Sequence, residues 1–123
     1  GHAMSKTVVF DFDGVIHSYT SGWCGVSEIP DPPVAGIKDA ISKIREAGYR
    51  VVVVSTRCAE PAGEQSVIDW LKRQKISVDG VSSTKPPAVC YIDDRAICFD
   101  GDAGALLEKI REFKPWYRKE ATP

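Results

Sequence analysis

Short apolar runs rich in valine and isoleucine recur along the chain, and segments with helical spacing separate them. The apolar runs lie at 7–12, 50–54, 89–92 and 96–99, with a weaker one around 76–82. The helical segments begin near Ile37, Val67 and Leu106. Continuously apolar strands that alternate with helices predict a parallel sheet, because the crossover helices must cover its faces. We therefore expect a single α/β domain with a doubly wound, Rossmann-like sheet of about five parallel strands.

Composition limits the class of protein. The 123 residues are 43% hydrophobic and carry a formal net charge of -1, which suits one domain with its own core and gives no overall attraction to nucleic acid or membrane. No apolar stretch approaches the ~20 residues of a membrane span, and no secretory signal pattern is present. We expect a cytoplasmic protein with no membrane partner. Residues 1–4 have the character of a tag remnant, which leaves 5–123 as the domain.

Polar side chains follow three of the predicted strands. The residues concerned are Asp11 and Asp13, then Ser55, Thr56 and Arg57, then Asp93 and Asp94. In open parallel sheets, ligands bind beyond the carboxyl ends of the strands, where the strand order reverses. A charge at one strand end is often structural, but three such ends in one fold predict a binding or catalytic site.

Several carboxylates at one edge repel each other unless a cation lies among them. An all-oxygen donor set suits Mg²⁺, which is often held by one or two carboxylates and a substrate phosphate. With this charge neutralised by the metal and by Lys85, an aspartate can attack a phosphoryl group, and a second can act as acid and base. Ser55 and nearby backbone N–H groups are then placed to hold the phosphoryl oxygens.

The segment 18–33 is rich in glycine, proline and serine and shows neither helical nor strand periodicity. A loop of this length is typical of a lid or binding element, with a disordered excursion as the alternative. Trp23 within it either closes over substrate or pins the loop to the domain. We expect His17 to be an exposed loop residue, with contact to a bound phosphate ester as the alternative, and Trp116 and Tyr117 to fasten the last segment of the chain.

Four motifs in order resemble those of the haloacid dehalogenase (HAD) superfamily. They are the residues 8–14 with sequence VVFDFDG, the run VVVVSTR ending at Arg57, Lys85 followed by Pro86, and YIDDRA beginning at Tyr91. The resemblance extends from about Lys6 to Phe113. A lone D-x-D-G would be weak evidence, whereas four motifs in this order and spacing are specific.

The resemblance implies a role for each matching position. Asp11 matches the nucleophile and a Mg²⁺ ligand, and Asp13 matches the general acid and base, whose backbone carbonyl also binds the metal. The phosphoryl-binding position corresponds to Ser55, with Thr56 as a second candidate, and Lys85 matches the lysine that steadies the nucleophile. The metal-binding acids of the last motif correspond to Asp93 and Asp94, and an arginine at Arg57 reaches the substrate in some relatives.

The resemblance also bears on reaction and substrate. Dehalogenating members generally lack the second aspartate, so Asp13 favours hydrolysis of a phosphate monoester. Neither 18–33 nor 57–85 has room for the cap domain that encloses small substrates in most relatives. An open site suits a large or polymeric phosphorylated substrate, unless a second subunit of a homo-oligomer supplies the lid. Similarity to the 3'-phosphatase domain of polynucleotide kinase makes a nucleic-acid end one candidate, although the chain has no strongly basic signature.

Two other functional classes compete with a phosphatase. One is a non-catalytic phosphoryl-binding or regulatory domain with the same fold, against which the intact set of acids, Ser55 and Lys85 argue. The other is a receiver domain, which also has an acidic pocket on a parallel sheet. In a receiver the phosphorylated aspartate follows the third strand, whereas Asp11 here follows the first.

Overall fold

The computed structural model describes residues 6–118, which form an α/β fold of four strands and three α-helices. The strands are β1 (Thr7–Asp11), β2 (Arg50–Val54), β3 (Gly80–Ser82) and β4 (Cys90–Ile92). The helices are α1 (Ile37–Glu46), α2 (Pro61–Arg73) and α3 (Leu106–Glu112). No helix within this range is long and apolar enough to cross a membrane. The predicted tag remnant at 1–4 lies outside the described residues.

All strand pairs are parallel, and the order across the sheet is β3-β2-β1-β4. The register aligns the carboxyl ends of the central strands. Asp11 lies opposite Val54, and Phe10 lies opposite Ile92, so the next residues along β2 and β4 emerge beside Asp11. The order also reverses direction at β1, which places the end of β1 where a Rossmann-like sheet binds its ligands.

Helices α1 and α2 pack on one face of the sheet. Alternate residues of β1 and β2, including Phe10 and Val53, bury their side chains there against Ile41 of α1 and Trp70 of α2. The two crossovers step in the same direction across the sheet, and right-handed connections therefore place both helices on the same side. The parallel α/β fold predicted from the sequence is thus confirmed.

The opposite face carries a smaller apolar cluster. It comprises Val9, Val52 and Val54, with Ala88 from the connection between β3 and β4 packed against them. That connection, at 83–89, forms no helix, and α3 contributes no buried residue to either apolar cluster. Helical cover in the described structure is consequently established for one face only, in contrast to the doubly wound expectation.

The prediction of a fifth strand is wrong, since residues 96–99 form no strand. Only three residues separate this run from β4, whereas a parallel neighbour needs a crossover of about a dozen residues. The backbone N–H of Arg95 donates to Oδ1 of Asp93 at 2.8 Å, which turns the chain away directly after β4. Phe99 remains 59% exposed, so apolar composition alone did not produce a strand here. The weaker run at 76–82 forms a strand only in its last three residues, Gly80–Ser82.

Trp70 is the largest buried side chain of the core, and its ring meets Phe12 edge-on with centroids 5.2 Å apart. We expect Trp70→Ala to lower the free energy of unfolding by about 3–5 kcal/mol, because the lost volume leaves a cavity. Leu107→Ala, at a side chain that is 59% exposed, should cost less than about 1 kcal/mol. Urea denaturation of both variants measures the difference, and equal losses would contradict this description of the core.

Candidate active site

Three carboxylates meet at the carboxyl edge of the sheet. Asp11 ends β1, and Asp93 and Asp94 follow β4 directly. One oxygen from each lies within 4.8 Å of the others, a grouping that can hold a metal ion. The parallel register of β1 and β4 is the cause, because it brings the residues after Phe10 and Ile92 side by side. The carboxylate of Asp13 does not belong to this group.

The electrostatics of Asp11 reflect its neighbours. Burial raises its pKa, and a hydrogen bond with Asp94 and the charge of Asp93 add to this effect, so that the pKa rises from 3.8 to about 8. Negative charge is therefore unfavourable at this point unless a cation offsets it. Carboxylate oxygens are the donors that Mg²⁺ prefers, so the three residues fit that ion.

Gly14 allows the last segment of the chain to approach this group. Its φ of 83° lies in the left-handed region that favours glycine, and a Cβ there would overlap Oδ2 of Asp94. Tyr117 donates from its hydroxyl to the same Asp94 oxygen at 2.8 Å, and Trp116 Nε1 donates to the carbonyl of Gly14 at 2.7 Å. The prediction that Trp116 and Tyr117 fasten this segment is confirmed. No pattern in the sequence predicts the contact between Tyr117 and Asp94.

Ser55, Thr56 and Lys85 line a pocket of about 210 Å³ together with Asp11 and Asp93. The structure thus brings together residues that the sequence separates by as much as 82 positions. Ser55 is 4% exposed and begins a 3₁₀ turn, where its Oγ accepts from the backbone N–H of Arg57 at 3.2 Å. Lys85 is exposed, and its Nζ lies 5.2 Å from the centroid of the Tyr91 ring.

A second pocket of about 340 Å³ adjoins the first one. The two pockets share Asp11, Ser55, Thr56 and Asp93. The second is also lined by Asp13, Tyr19, Trp23, Asp94 and Arg95. The group of carboxylates therefore borders two connected spaces, one with the lysine and one with aromatic side chains.

The partly buried Asp13 forms an ion pair with the fully buried Arg57. Nε of Arg57 donates to Oδ2 of Asp13 at 2.8 Å, and Nη2 donates to Oδ1 at 3.1 Å. Nη1 donates to three carbonyl oxygens of the 18–33 loop, those of Gly25, Val26 and Glu28. The guanidinium is fully buried and lines neither pocket, so it connects the loop to Asp13. Contact between Arg57 and a substrate stays a prediction.

The expectation of an exposed His17 is wrong, since this side chain is fully buried. The chain turns sharply after Phe12, whose carbonyl accepts from the backbone N–H of His17 at 3.0 Å, and the His17 ring packs against the rings of Phe12 and Trp70. Nε2 accepts from the backbone N–H of Asp31 at 3.1 Å, which leaves the proton on Nδ1, 2.8 Å from Oδ1 of Asp13. The four-residue spacing of Asp13 and His17 was the available signal for this pair.

These contacts determine the charge of Asp13. Burial by itself raises its pKa, but the hydrogen bonds from His17 and Arg57 outweigh this effect and hold the pKa below its ordinary value. Asp11 and Asp13, two residues apart, are therefore shifted in opposite directions. Without a cation, this order is the reverse of what a carboxylate nucleophile at Asp11 and an acid at Asp13 need, so those roles require a positive charge beside Asp11 and a change of contacts at Asp13.

Comparisons with known proteins give a partial match in sequence and a likeness in fold. No protein-family model matches the chain. It is 31% identical over 97 residues to the potassium-transporting ATPase alpha chain 2 of Rattus norvegicus, a match that covers 68% of this chain and 9% of that protein. A solved structure of a conserved protein from Bacteroides thetaiotaomicron superimposes with a TM-score of 0.59 at 21% identity, over 88% of this chain and 91% of that one. The second likeness shows a shared fold.

Removal of Arg57 should strongly destabilise the domain. Arg57→Met leaves the partly buried carboxylate of Asp13 without its cation and three loop carbonyls without their donor, and is expected to cost about 3–5 kcal/mol of unfolding free energy. Arg45→Met removes the partly exposed pair with Asp79 and should cost no more than about 1 kcal/mol. Urea denaturation of the two variants measures both values. A small loss for Arg57→Met would show that the clamp, the set of contacts from Arg57 to Asp13 and to the 18–33 loop, does not stabilise the fold.

Stability without metal should fall with rising pH because of Asp11. Folding raises the pKa of Asp11 from 3.8 to about 8, so the protonated carboxyl group contributes fully to the free energy of unfolding below about pH 4. This contribution is lost as the pH rises through 8. The group is only partly buried, so we expect a loss of roughly 1–3 kcal/mol after allowance for solvent screening. The test is urea denaturation in EDTA at several pH values. Asp11→Asn should abolish this component, whereas Asp39→Asn, at an 83% exposed side chain, should retain it.

Proposed function

We propose that the chain is a Mg²⁺-dependent phosphatase of the haloacid dehalogenase type, which hydrolyses a phosphate monoester through an aspartyl-phosphate on Asp11. The carrying observation is the pocket in which Asp11, Ser55, Lys85 and Asp93 converge. These residues supply a carboxylate nucleophile, a hydroxyl donor, a fixed positive charge and a metal ligand, which together are the requirements of phosphoryl transfer. A parallel sheet with its candidate site at the reversal of strand order supports the same proposal.

The match to a transport ATPase is a further observation in support of the proposal. That protein is by name a potassium-transporting ATPase, an enzyme that hydrolyses ATP. Because this chain spans only 9% of its length, the likeness bears on phosphoryl chemistry and extends neither to ion transport nor to ATP as substrate. The proposed assignment to the superfamily is based on four ordered motifs within the 108 residues from Lys6 to Phe113.

The residues of the pocket divide the reaction between them. A carboxylate oxygen of Asp11 attacks phosphorus, the bond to the ester oxygen breaks, and the departing oxygen takes a proton from Asp13. Water, which gives a proton to Asp13, then attacks the phosphorus of the acyl phosphate, and this breaks the bond to Asp11 and releases inorganic phosphate. Ser55 and Lys85 hold the phosphoryl oxygens through both steps. Bound Mg²⁺, held by Asp11, Asp93, Asp94 and the backbone carbonyl of Asp13, would offset the charge that accumulates there.

Asp13 is the proposed acid and base, and its contacts affect how it can act. Both of its oxygens receive hydrogen bonds from Arg57 or His17 in this structure. To protonate a leaving oxygen, the carboxylate of Asp13 must first gain a proton from solvent and exchange one of these contacts for the substrate. Esters with good leaving groups need this proton least, so they should be the better substrates.

The same observation favours a second candidate function. A carboxylate held by a buried arginine and a buried histidine is stable as an anion, which suits a site that binds a phosphoryl group without turnover. A regulatory or phosphoryl-binding domain would retain Mg²⁺ binding and lack hydrolysis. The two candidates therefore differ in turnover and agree on ligand chemistry.

The openness of the site bears on substrate size. Residues 18–33 contain no helix or strand, and 57–85 contain one short 3₁₀ turn, α2 and β3, so neither stretch forms a cap domain. A pocket without such cover can accept a phosphate on a large or polymeric molecule. A nucleic-acid end is one such substrate, and a second subunit of a homo-oligomer is the alternative source of cover.

Release of inorganic phosphate tests the proposed activity. We expect hydrolysis of p-nitrophenyl phosphate that requires Mg²⁺, stops with EDTA, and falls at least about a hundredfold in Asp11→Asn because the nucleophile is lost. Asp39→Asn, at an exposed position on α1, should keep wild-type kcat/KM. A panel of nucleotides and phosphorylated oligonucleotides then ranks the classes of substrate.

Lack of release from any of these esters, with Mg²⁺ binding intact by calorimetry, would favour the non-catalytic candidate. Activity that survives Asp11→Asn would reject Asp11 as the nucleophile. A thermal shift with Mg²⁺ that disappears in Asp93→Asn would locate the ion independently of catalysis.

A further inference from the structure

The pocket beside the acidic group has an aromatic wall. Trp23 and Tyr19 line it together with Asp11 and Thr56. Trp23 is 57% exposed, which is unusual for the largest apolar side chain, while it borders the candidate nucleophile. Isolated exposed apolar residues are common on protein surfaces. An exposed apolar side chain that lines a pocket with convergent polar groups is, by contrast, a candidate for contact with a ligand.

One face of Trp23 is already occupied. The guanidinium carbon of Arg57 lies 4.6 Å from the ring centroid, a cation–π contact to a side chain that is itself fully buried. Because Arg57 is bound to Asp13 and to three loop carbonyls, the indole rests on a fixed support. A pre-positioned ring loses little conformational entropy when a ligand binds. Pinning of the loop explains the contact with Arg57 and leaves the exposed part of the ring unexplained.

Tyr19 adds a second observation at the same wall. Its φ of 62° lies in the left-handed region, which bulky residues rarely adopt. Its ring packs against buried His17 with centroids 5.9 Å apart, so the side chain is directed by the same core that holds Asp13. Backbone strain that persists at a pocket-lining aromatic residue is consistent with a functional constraint.

We propose that Trp23 is a stacking platform for a planar aromatic ring in the leaving group of the phosphate ester, with Tyr19 bordering the same space. This inference rests on the proposed phosphatase function, because the phosphoryl group would occupy the adjoining pocket of Ser55 and Lys85. The ring is either an aryl group or a nucleobase, since both present a π-face of similar size. Trp23 is accordingly a specificity-determining residue.

Phosphonates test the platform without any need for turnover. Benzylphosphonate and cyclohexylmethylphosphonate have similar size and charge, differ in aromaticity, and have no ester bond to cleave. With Mg²⁺ present, calorimetry should show that benzylphosphonate binds about 5- to 100-fold more tightly, the range expected for one stacked ring. Trp23→Leu should bring the ratio of the two dissociation constants close to one.

Two further variants serve as controls. Trp23→Phe retains a π-face and should keep most of the preference. Tyr49→Leu removes an aromatic side chain that is 40% exposed at the start of β2, the opposite end of the sheet, and should leave the ratio unchanged. Equal binding of the two phosphonates by the wild-type protein would overturn the proposal, as would a preference that survives Trp23→Leu.

A second pair of ligands distinguishes a nucleobase from an aryl group as the ring that stacks on Trp23. Competition by adenosine 5'-monophosphate and ribose 5-phosphate, measured against benzylphosphonate in an Asp11→Asn background that prevents hydrolysis, compares a phosphate with and without a nucleobase. A Trp23-dependent preference for the nucleotide supports a nucleobase, and a preference confined to the benzyl pair supports an aryl group. An aromatic preference in a protein that releases no phosphate would support the platform and reject the phosphatase, so the two failures are distinguishable.

Discussion

The ion pair between the buried Arg57 and the partly buried Asp13 connects the parts of this structure that matter for its proposed chemistry. One guanidinium binds both oxygens of Asp13, holds three carbonyls of the 18–33 loop, and supports the ring of Trp23. Such a cation costs desolvation energy when it is buried, and its hydrogen bonds offset that cost only when they are complete. The geometry of the loop, the acid and the aromatic wall therefore depends on one side chain.

A second constraint is the parallel register of β1 and β4, which crowds Asp11 against Asp93 and Asp94. Burial, together with the neighbouring Asp94 and Asp93, raises the pKa of Asp11, so its negative charge is unfavourable without a cation. In the proposed phosphatase, a bound metal ion would offset this charge. Tyr117 completes the arrangement with its hydrogen bond to Asp94, made over the side-chain-free surface of Gly14.

The sequence predicted the features that strand periodicity and strand ends determine. The apolar runs located β1, β2 and β4, and the residues that follow them form the candidate site because parallel strands end at one edge. It failed where tertiary contacts decide. Residues 96–99 have strand composition but follow β4 too closely for a parallel crossover, and His17 has a polar side chain whose two nitrogens are satisfied only in the folded structure. The roles of Arg57 as a clamp and of Tyr117 as a support likewise depend on contacts between distant parts of the chain.

The proposed phosphatase mechanism requires a covalent bond between a carboxylate oxygen of Asp11 and phosphorus. Its most direct test is an acid quench during turnover of p-nitrophenyl phosphate with Mg²⁺, followed by borohydride reduction, which converts an aspartyl phosphate to homoserine. Mass spectrometry of the peptide that contains residues 8–17 should then show homoserine in place of Asp11, and only when substrate is present. An unmodified Asp11 in a sample that is releasing phosphate, or reduction at another carboxylate, would contradict the account.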